Sequence, residues 1–182
     1  MKKTAEEKFT IKVPIKVKKI GWNKVKNLVQ FLYYDLGSSR KEYDTILGIA
    51  RGGVVPAYYL WQLITKDLIK PLPNTLQDTP NLSIRPPNFS SIQVTHYKGL
   101  VKKSGVKIGK LSGFLGKRVL VVDDVCDTGD TMSAIIMCKE INKGRVLSTA
   151  TLHLKPWSFF EPDYHAEETK NWLQYPWEVS NE

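Results

Sequence analysis

The sequence contains no run of apolar residues long enough to cross a bilayer, and its opening, Met1-Lys2-Lys3-Thr4-Ala5-Glu6-Glu7-Lys8, lacks the apolar core of a secretory signal. It is poor in cysteine. The only two, Cys126 and Cys138, have a spacing that suits neither a zinc ligand set nor a disulfide framework. A cytoplasmic location without a membrane partner is therefore expected. Nucleic-acid features are also missing: the lysines are not accompanied by arginine-rich or aromatic patterning, and no recognition helix stands out. What remains is a chain of 182 residues with a net charge of +9, one domain of ordinary size with enough length for a real core. Much of the charge is local. Lys12, Lys16, Lys18 and Lys19 alternate with Phe9, Ile11, Val13, Ile15 and Val17, which reads as an edge strand with one solvated basic face, and Pro14 fits an edge.

The stretch most informative about chemistry runs from Val119 to Thr131. Val119-Leu120-Val121-Val122 reads as a strand buried on both faces, as in parallel sheets covered by helices. It stops in Asp123-Asp124, a third acid follows at Asp127, and Thr128-Gly129-Asp130-Thr131 leads into a helix with an apolar stripe of Ala134, Met137, Cys138 and Ile141. In open α/β sheets, ligands settle beyond the carboxyl ends of the strands. There the N–H groups of a first helical turn, with Thr128 and Thr131 hydroxyls and a close backbone approach at Gly129, would cradle a phosphate. The carboxylates repel phosphate and must face hydroxyls or a magnesium ion instead. A sugar phosphate satisfies both halves. A solvated acidic loop does not account for Thr-Gly-Asp-Thr, and the alternate-position acids of a calcium loop are interrupted by Val125, Cys126 and Thr128.

A second turn of the same kind follows the apolar strand Thr45 to Ala50. Ala50-Arg51-Gly52-Gly53 frees backbone N–H groups and adds the Arg51 fork, suited to phosphate oxygens, before a helix from about Val55 to Thr65. An amphipathic helix from Trp22 to Leu36 precedes this strand, with Val25, Leu28, Val29 and Leu32 in phase. Residues 67 to 117 are the least regular, broken by prolines, apart from a strand from Ser91 to Tyr97. Arg145 to Leu154 reads as the last sheet strand, and an aromatic-rich tail follows.

The Asp123 to Thr131 segment resembles the D-D-x-x-D-T-G-x-T motif of the type I phosphoribosyltransferases, and the resemblance extends from about Trp22 to Glu178. It implies an α/β fold with a central, mostly parallel sheet flanked by helices and a small C-terminal hood. It further implies that Asp123 and Asp124 hold the ribose hydroxyls of 5-phosphoribosyl 1-diphosphate (PRPP) and lie near Mg2+. The loop Asp127, Thr128, Gly129, Asp130 and Thr131 would wrap the 5-phosphate, with Asp127 as general base beside the purine N7. Arg51 and Gly52 fall in the family's pyrophosphate loop, which often has a non-proline cis peptide, here at Ala50-Arg51. The segment after the strand, from Tyr97 and Lys98 to Gly105, corresponds to a mobile lid, although His96-Tyr97 replaces the usual Ser-Tyr.

Trp172-Leu173-Gln174-Tyr175-Pro176-Trp177-Glu178 is similar to the purine-binding hood of xanthine-guanine and related archaeal enzymes. By that likeness Trp172 stacks on the base, main-chain groups at Leu173 read its edge, and Lys155 donates to O6. A lysine only donates, so it favours a 6-oxopurine over adenine. Trp157 and Trp177 are read as hood packing. The expectation is one phosphoribosyltransferase domain, with residues 1–20 a basic edge segment, 22–154 the core and 155–182 the hood, acting on PRPP and guanine, hypoxanthine or xanthine. A homodimer is implied by the resemblance alone. Adenine transfer on the same scaffold, or a PRPP-sensing regulator that binds nucleic acid, are the alternatives.

Overall fold

Alternate residues of the central strand serve two different cores. The computed structural model describes residues 17–69, 85–97 and 105–178. In β5 (Arg118–Cys126), Val119, Leu120, Val121 and Val122 are all fully buried. Val119 and Val121 join Leu47, Ile49, Met132, Ile135 and Ile141, whereas Leu120 and Val122 join Val25, Leu28, Val29, Leu32, Leu60 and Ile64. A strand apolar on both faces must be covered on both. Helices α1 (Trp22–Asp35) and α2 (Val54–Leu68) cover one face, and α3 (Asp130–Met137) and α4 (Lys139–Asn142) the other. The chain is thus α/β with a central, mostly parallel sheet, as expected.

The remaining strands are β1 (Val17–Lys19), β2 (Thr45–Ala50), β3 (Asn88–Tyr97), β4 (Gly105–Ser112), β6 (Val146–Leu154), β7 (Tyr164–Glu168) and β8 (Trp172–Gln174). The main sheet has the order β4-β3-β2-β5-β6-β7, with β4 an antiparallel edge and the other neighbours parallel. A separate short ladder pairs β1 with β8. Gly48 of β2 lies opposite Val122 of β5, so both strands discharge their loops at the same edge. This adjacency creates the crevice that the two strand-to-helix turns share.

Several details depart from the sequence reading. The helix after the acidic loop breaks at Cys138, whose ψ of 115° is extended. The stripe through Ala134 and Met137 therefore fails: Met132 and Ile135 are buried instead, and Met137 is 77% exposed, whereas Cys138 keeps a partly buried place against the same core. Ile141 stays buried because the break resets the helical phase. Cys126 is buried in the core, and Cys138 is half-buried at the break. β4 lay within the stretch read as irregular, since Lys107, Gly109 and Lys110 blur its alternation. β6 is not the last strand of the sheet, because β7 pairs alongside it. Of the basic N-terminal edge, only Val17 to Lys19 falls within the described residues. It pairs with the tail, Val17 opposite Trp172, and Lys18 Nζ reaches Glu167 at 2.9 Å.

Candidate active site

The turn after β2 packs directly on the acidic end of β5. A Cβ placed on Gly52 would fall 2.0 Å from Asp124 Oδ2, so only glycine allows the approach. The peptide Ala50–Arg51 is cis, as the resemblance implies. Arg51 is exposed beside the crevice. The two predicted loops, from opposite halves of the sequence, thus form one continuous wall.

Asp123 is 8% exposed, and its Oδ1 accepts the Asp124 N–H at 3.0 Å. Asp124 Oδ1 accepts the Val125 N–H at 2.8 Å. Burial first, then the neighbouring Asp124 charge, raises the Asp123 pKa well above its ordinary value. Asp124 is also raised by burial, against hydrogen bonds that lower it. The Trp177 indole N–H lies close enough to draw the Asp124 pKa down without meeting hydrogen-bond geometry. Neither acid has an ion-pair partner among the described residues. Two buried carboxylates left in this way call for hydroxyl donors or a cation from a ligand.

The loop beyond opens outward. Gly129 has φ 99°, a left-handed conformation, and a Cβ there would lie 2.5 Å from Phe160 Cβ. The strand-to-helix turn can therefore lie against the segment after β6, an attachment completed by the Phe159 N–H donating to the Thr128 carbonyl at 3.0 Å. Thr128 Oγ1 donates to Asp130 Oδ2 at 2.7 Å, which ties the turn internally. Asp127 is half-buried at its start.

Lys155 follows β6 and is buried. Its ammonium donates to the Asn171 carbonyl, one residue before Trp172. Burial lowers its pKa, while the Asp127 charge opposes that shift, so the lysine and this acid are within electrostatic reach. Trp172 projects from β8 and is exposed, whereas the Leu173 side chain is buried in the core and leaves only its main chain for a ligand. Trp177 stacks on Tyr175 at 4.7 Å, the packing role expected. Trp157 does not have that role. It is exposed, and its indole N–H donates to Asp127 Oδ1 at 3.0 Å.

A relay behind the wall escaped the sequence reading. The Tyr175 hydroxyl donates to the Asp124 carbonyl at 2.9 Å. His153 Nδ1 lies 2.7 Å from the same hydroxyl and, since its one proton is committed, must be the donor to it. Burial depresses the His153 pKa to about 4, keeping it neutral. A histidine two residues before Lys155, between Leu152 and Leu154 of the strand, was the available signal. The lid expectation mostly lies outside the described residues: Lys98 is among those not described, and Tyr97 ends β3, opposite Gly105. Gln93 already pairs with Ala50, so β3 continues beyond the end of β2.

Fold and crevice together define a class of enzyme. Residues 21–181 match the phosphoribosyl transferase domain, and the chain belongs to this family, as a PRPP-dependent pentosyltransferase. Among solved structures it is similar to a purine phosphoribosyltransferase from Pyrococcus horikoshii, at 28% identity and TM-score 0.69, over 91% of this chain and 95% of that one. The xanthine-guanine-hypoxanthine phosphoribosyltransferase of Helicobacter pylori shares its fold at 15% identity and TM-score 0.67, over 90% and 94% of the two chains. A hypoxanthine phosphoribosyltransferase from Staphylococcus aureus does so at 21% identity and TM-score 0.55, over 81% and 73%. No curated protein matches the sequence significantly.

Proposed function

We propose that this protein transfers the 5-phosphoribosyl group of PRPP to N9 of a 6-oxopurine, releasing pyrophosphate and forming the nucleoside 5′-monophosphate. The observation that carries this reading is the placement of Lys155, a buried donor, and Asp127, an acceptor, around one indole, that of Trp157. A 6-oxopurine presents the complementary edge, an O6 acceptor beside an N7–H donor. Adenine puts an amino group against the lysine. The likeness to the purine phosphoribosyltransferase of Pyrococcus horikoshii supports a purine as the base.

In this reading the C1–N9 bond forms as the C1–O bond to pyrophosphate breaks. Asp127 takes the N7 proton, which lets the base become neutral as it bonds to C1. Asp123 and Asp124 accept from the ribose hydroxyls, and the turn from Asp127 to Thr131 receives the 5-phosphate on the N-terminal N–H groups of α3. Arg51 and the Gly52 amide receive pyrophosphate, whose charge grows as it leaves. Tyr97 and Lys98 belong to the lid that keeps water from the electron-poor C1. Trp172 and the main chain at Leu173 take the face and edge of the base.

Asp123 and Asp124 also fit Mg2+, since they supply hard oxygen donors whose charge the fold leaves uncompensated. No cluster of three or more metal-binding side chains occurs among the described residues, so PRPP oxygens would complete the coordination. When bound, the ion neutralises phosphate charge. The protein works as a homodimer in the cytoplasm in this proposal, with residues 155–182 as the purine hood.

Initial rates with PRPP, Mg2+ and each of guanine, hypoxanthine, xanthine and adenine test the reading. Turnover of an oxopurine is expected, and Asp127→Asn should lower kcat by about 10²–10⁴-fold. Adenine as the sole substrate would sink the oxopurine assignment. Salt-dependent RNA or DNA binding with no turnover would favour a regulator instead.

A further inference from the structure

Lys155 is only 5% exposed, although it stands at the place where a base must be read. Its ammonium lies 5.4 Å from the ring centroid of Trp157, within the range of a cation–π contact. The Trp157 ring is itself 55% exposed. The same indole donates its N–H to Asp127 Oδ1. One planar, fused five- and six-membered ring therefore engages both groups that the proposed purine needs, the acid through a five-ring N–H and the lysine through its π face.

We propose that Trp157 closes the purine subsite in the base-free protein and that an incoming base must displace it, so that Trp157 sets the affinity for the base as an intramolecular competitor. The inference rests on the purine reading above. The flanking backbone is anchored, by Ser158 N–H to the Lys155 carbonyl at 2.9 Å and by Phe159 N–H to the Thr128 carbonyl at 3.0 Å. Displacement is then a rotation of an exposed side chain over a fixed main chain, a fast event.

The exchange costs every base the same. Moving Trp157 aside costs one hydrogen bond to Asp127 and one cation–π contact at Lys155. A 6-oxopurine returns both, through N7–H and O6. Adenine returns only the first and sets its amino group against the ammonium, donor facing donor, leaving a buried charge poorly paired. The cost of moving Trp157 cancels from that comparison, so Lys155 and Asp127 choose between bases while Trp157 lowers the affinity for each of them by the same factor.

The experiment compares wild type with Trp157→Ala and Trp157→Phe at saturating PRPP and Mg2+, reading KM and kcat for hypoxanthine, guanine and adenine. With the competitor gone, Trp157→Ala should lower the oxopurine KM several-fold at little change in kcat. The oxopurine-over-adenine ratio of kcat/KM should stay unchanged, because the same cost is lifted from every base. Trp157→Phe keeps a ring over Lys155 but no N–H and should fall between. A raised or unchanged base KM, or a fall in kcat at unchanged KM, would overturn the proposal. The wild-type substrate panel judges the purine reading separately, because it requires no variant at Trp157.

Discussion

Single side chains in this site are held by contacts that admit few substitutes. Gly52 is the sharpest case, because an added Cβ would meet Asp124 Oδ2 at 2.0 Å in a turn fixed between a strand and a helix. Gly52→Ala must push the pyrophosphate turn and the acidic pair apart. Overpacking of this kind costs about 1–3 kcal/mol, and PRPP is expected to feel it as a KM raised by about tenfold or more. Steady-state kinetics with PRPP varied would check this, and an unchanged KM would mean that the two loops do not share a ligand. Trp157 makes the opposite point. Its exposed ring is not packing, and its importance comes from the acid and the lysine that it touches.

At the scale of elements, β6 and the segment from β8 to Tyr175 are joined through polar atoms under the site. Through Tyr175, His153 on β6 bonds to the carbonyl of Asp124 on β5, so three elements are held in register by one relay. The histidine must remain neutral for this. Its pKa is about 4 when folded against 6.5 for the ordinary group. Below pH 6.5 the unfolded chain takes up a proton that the folded protein refuses. The contribution of His153 is therefore complete above about pH 6.5, declines as pH falls, and is spent near pH 4, a span worth about 3 kcal/mol. Asp123, with its raised pKa, acts in the reverse direction: the folded state gains a proton first as pH falls. Comparing wild type with His153→Asn removes that common background. Urea unfolding at pH 7 and pH 4 should show an acid-induced loss about 3 kcal/mol smaller in the variant. Equal losses would mean that His153 is not the acid-sensitive group.

Across the whole molecule, the tail is woven into the core. Leu173 and Tyr175 belong to the same buried cluster as Val25, Leu32 and Leu120, and β7 extends the main sheet. Lys18 and Lys24 converge on Glu167 of β7, holding its carboxyl down at about 2, so part of the basic excess is spent inside the fold. Removing residues 155–182 strips β7, β8 and two core residues together. The truncated chain should lose cooperative unfolding in a denaturant titration, because an exposed sheet edge and an emptied core cannot be compensated locally. A cooperative transition in the truncated chain would instead make the hood an independent unit.

The sequence alone determined the central strand, the acidic turn after it, the second glycine turn after Ala50, and the two helices of the first half. These are local: an apolar run demands burial, carboxylates and glycines end it, and a 3.6-residue stripe demands a covering partner. Tertiary structure decided the rest. The stripe after Thr131 misled because a break at Cys138 shifts the helical phase, and no pattern of side chains announces an extended ψ at one residue. β7 and β8 were illegible because short strands owe their existence to the neighbour that pairs with them. For the same reason Trp157 could not be placed. Whether an indole packs or points at an acid 30 positions away depends on where the chain returns, and only the fold brings Asp127, Trp157 and Lys155 to one place.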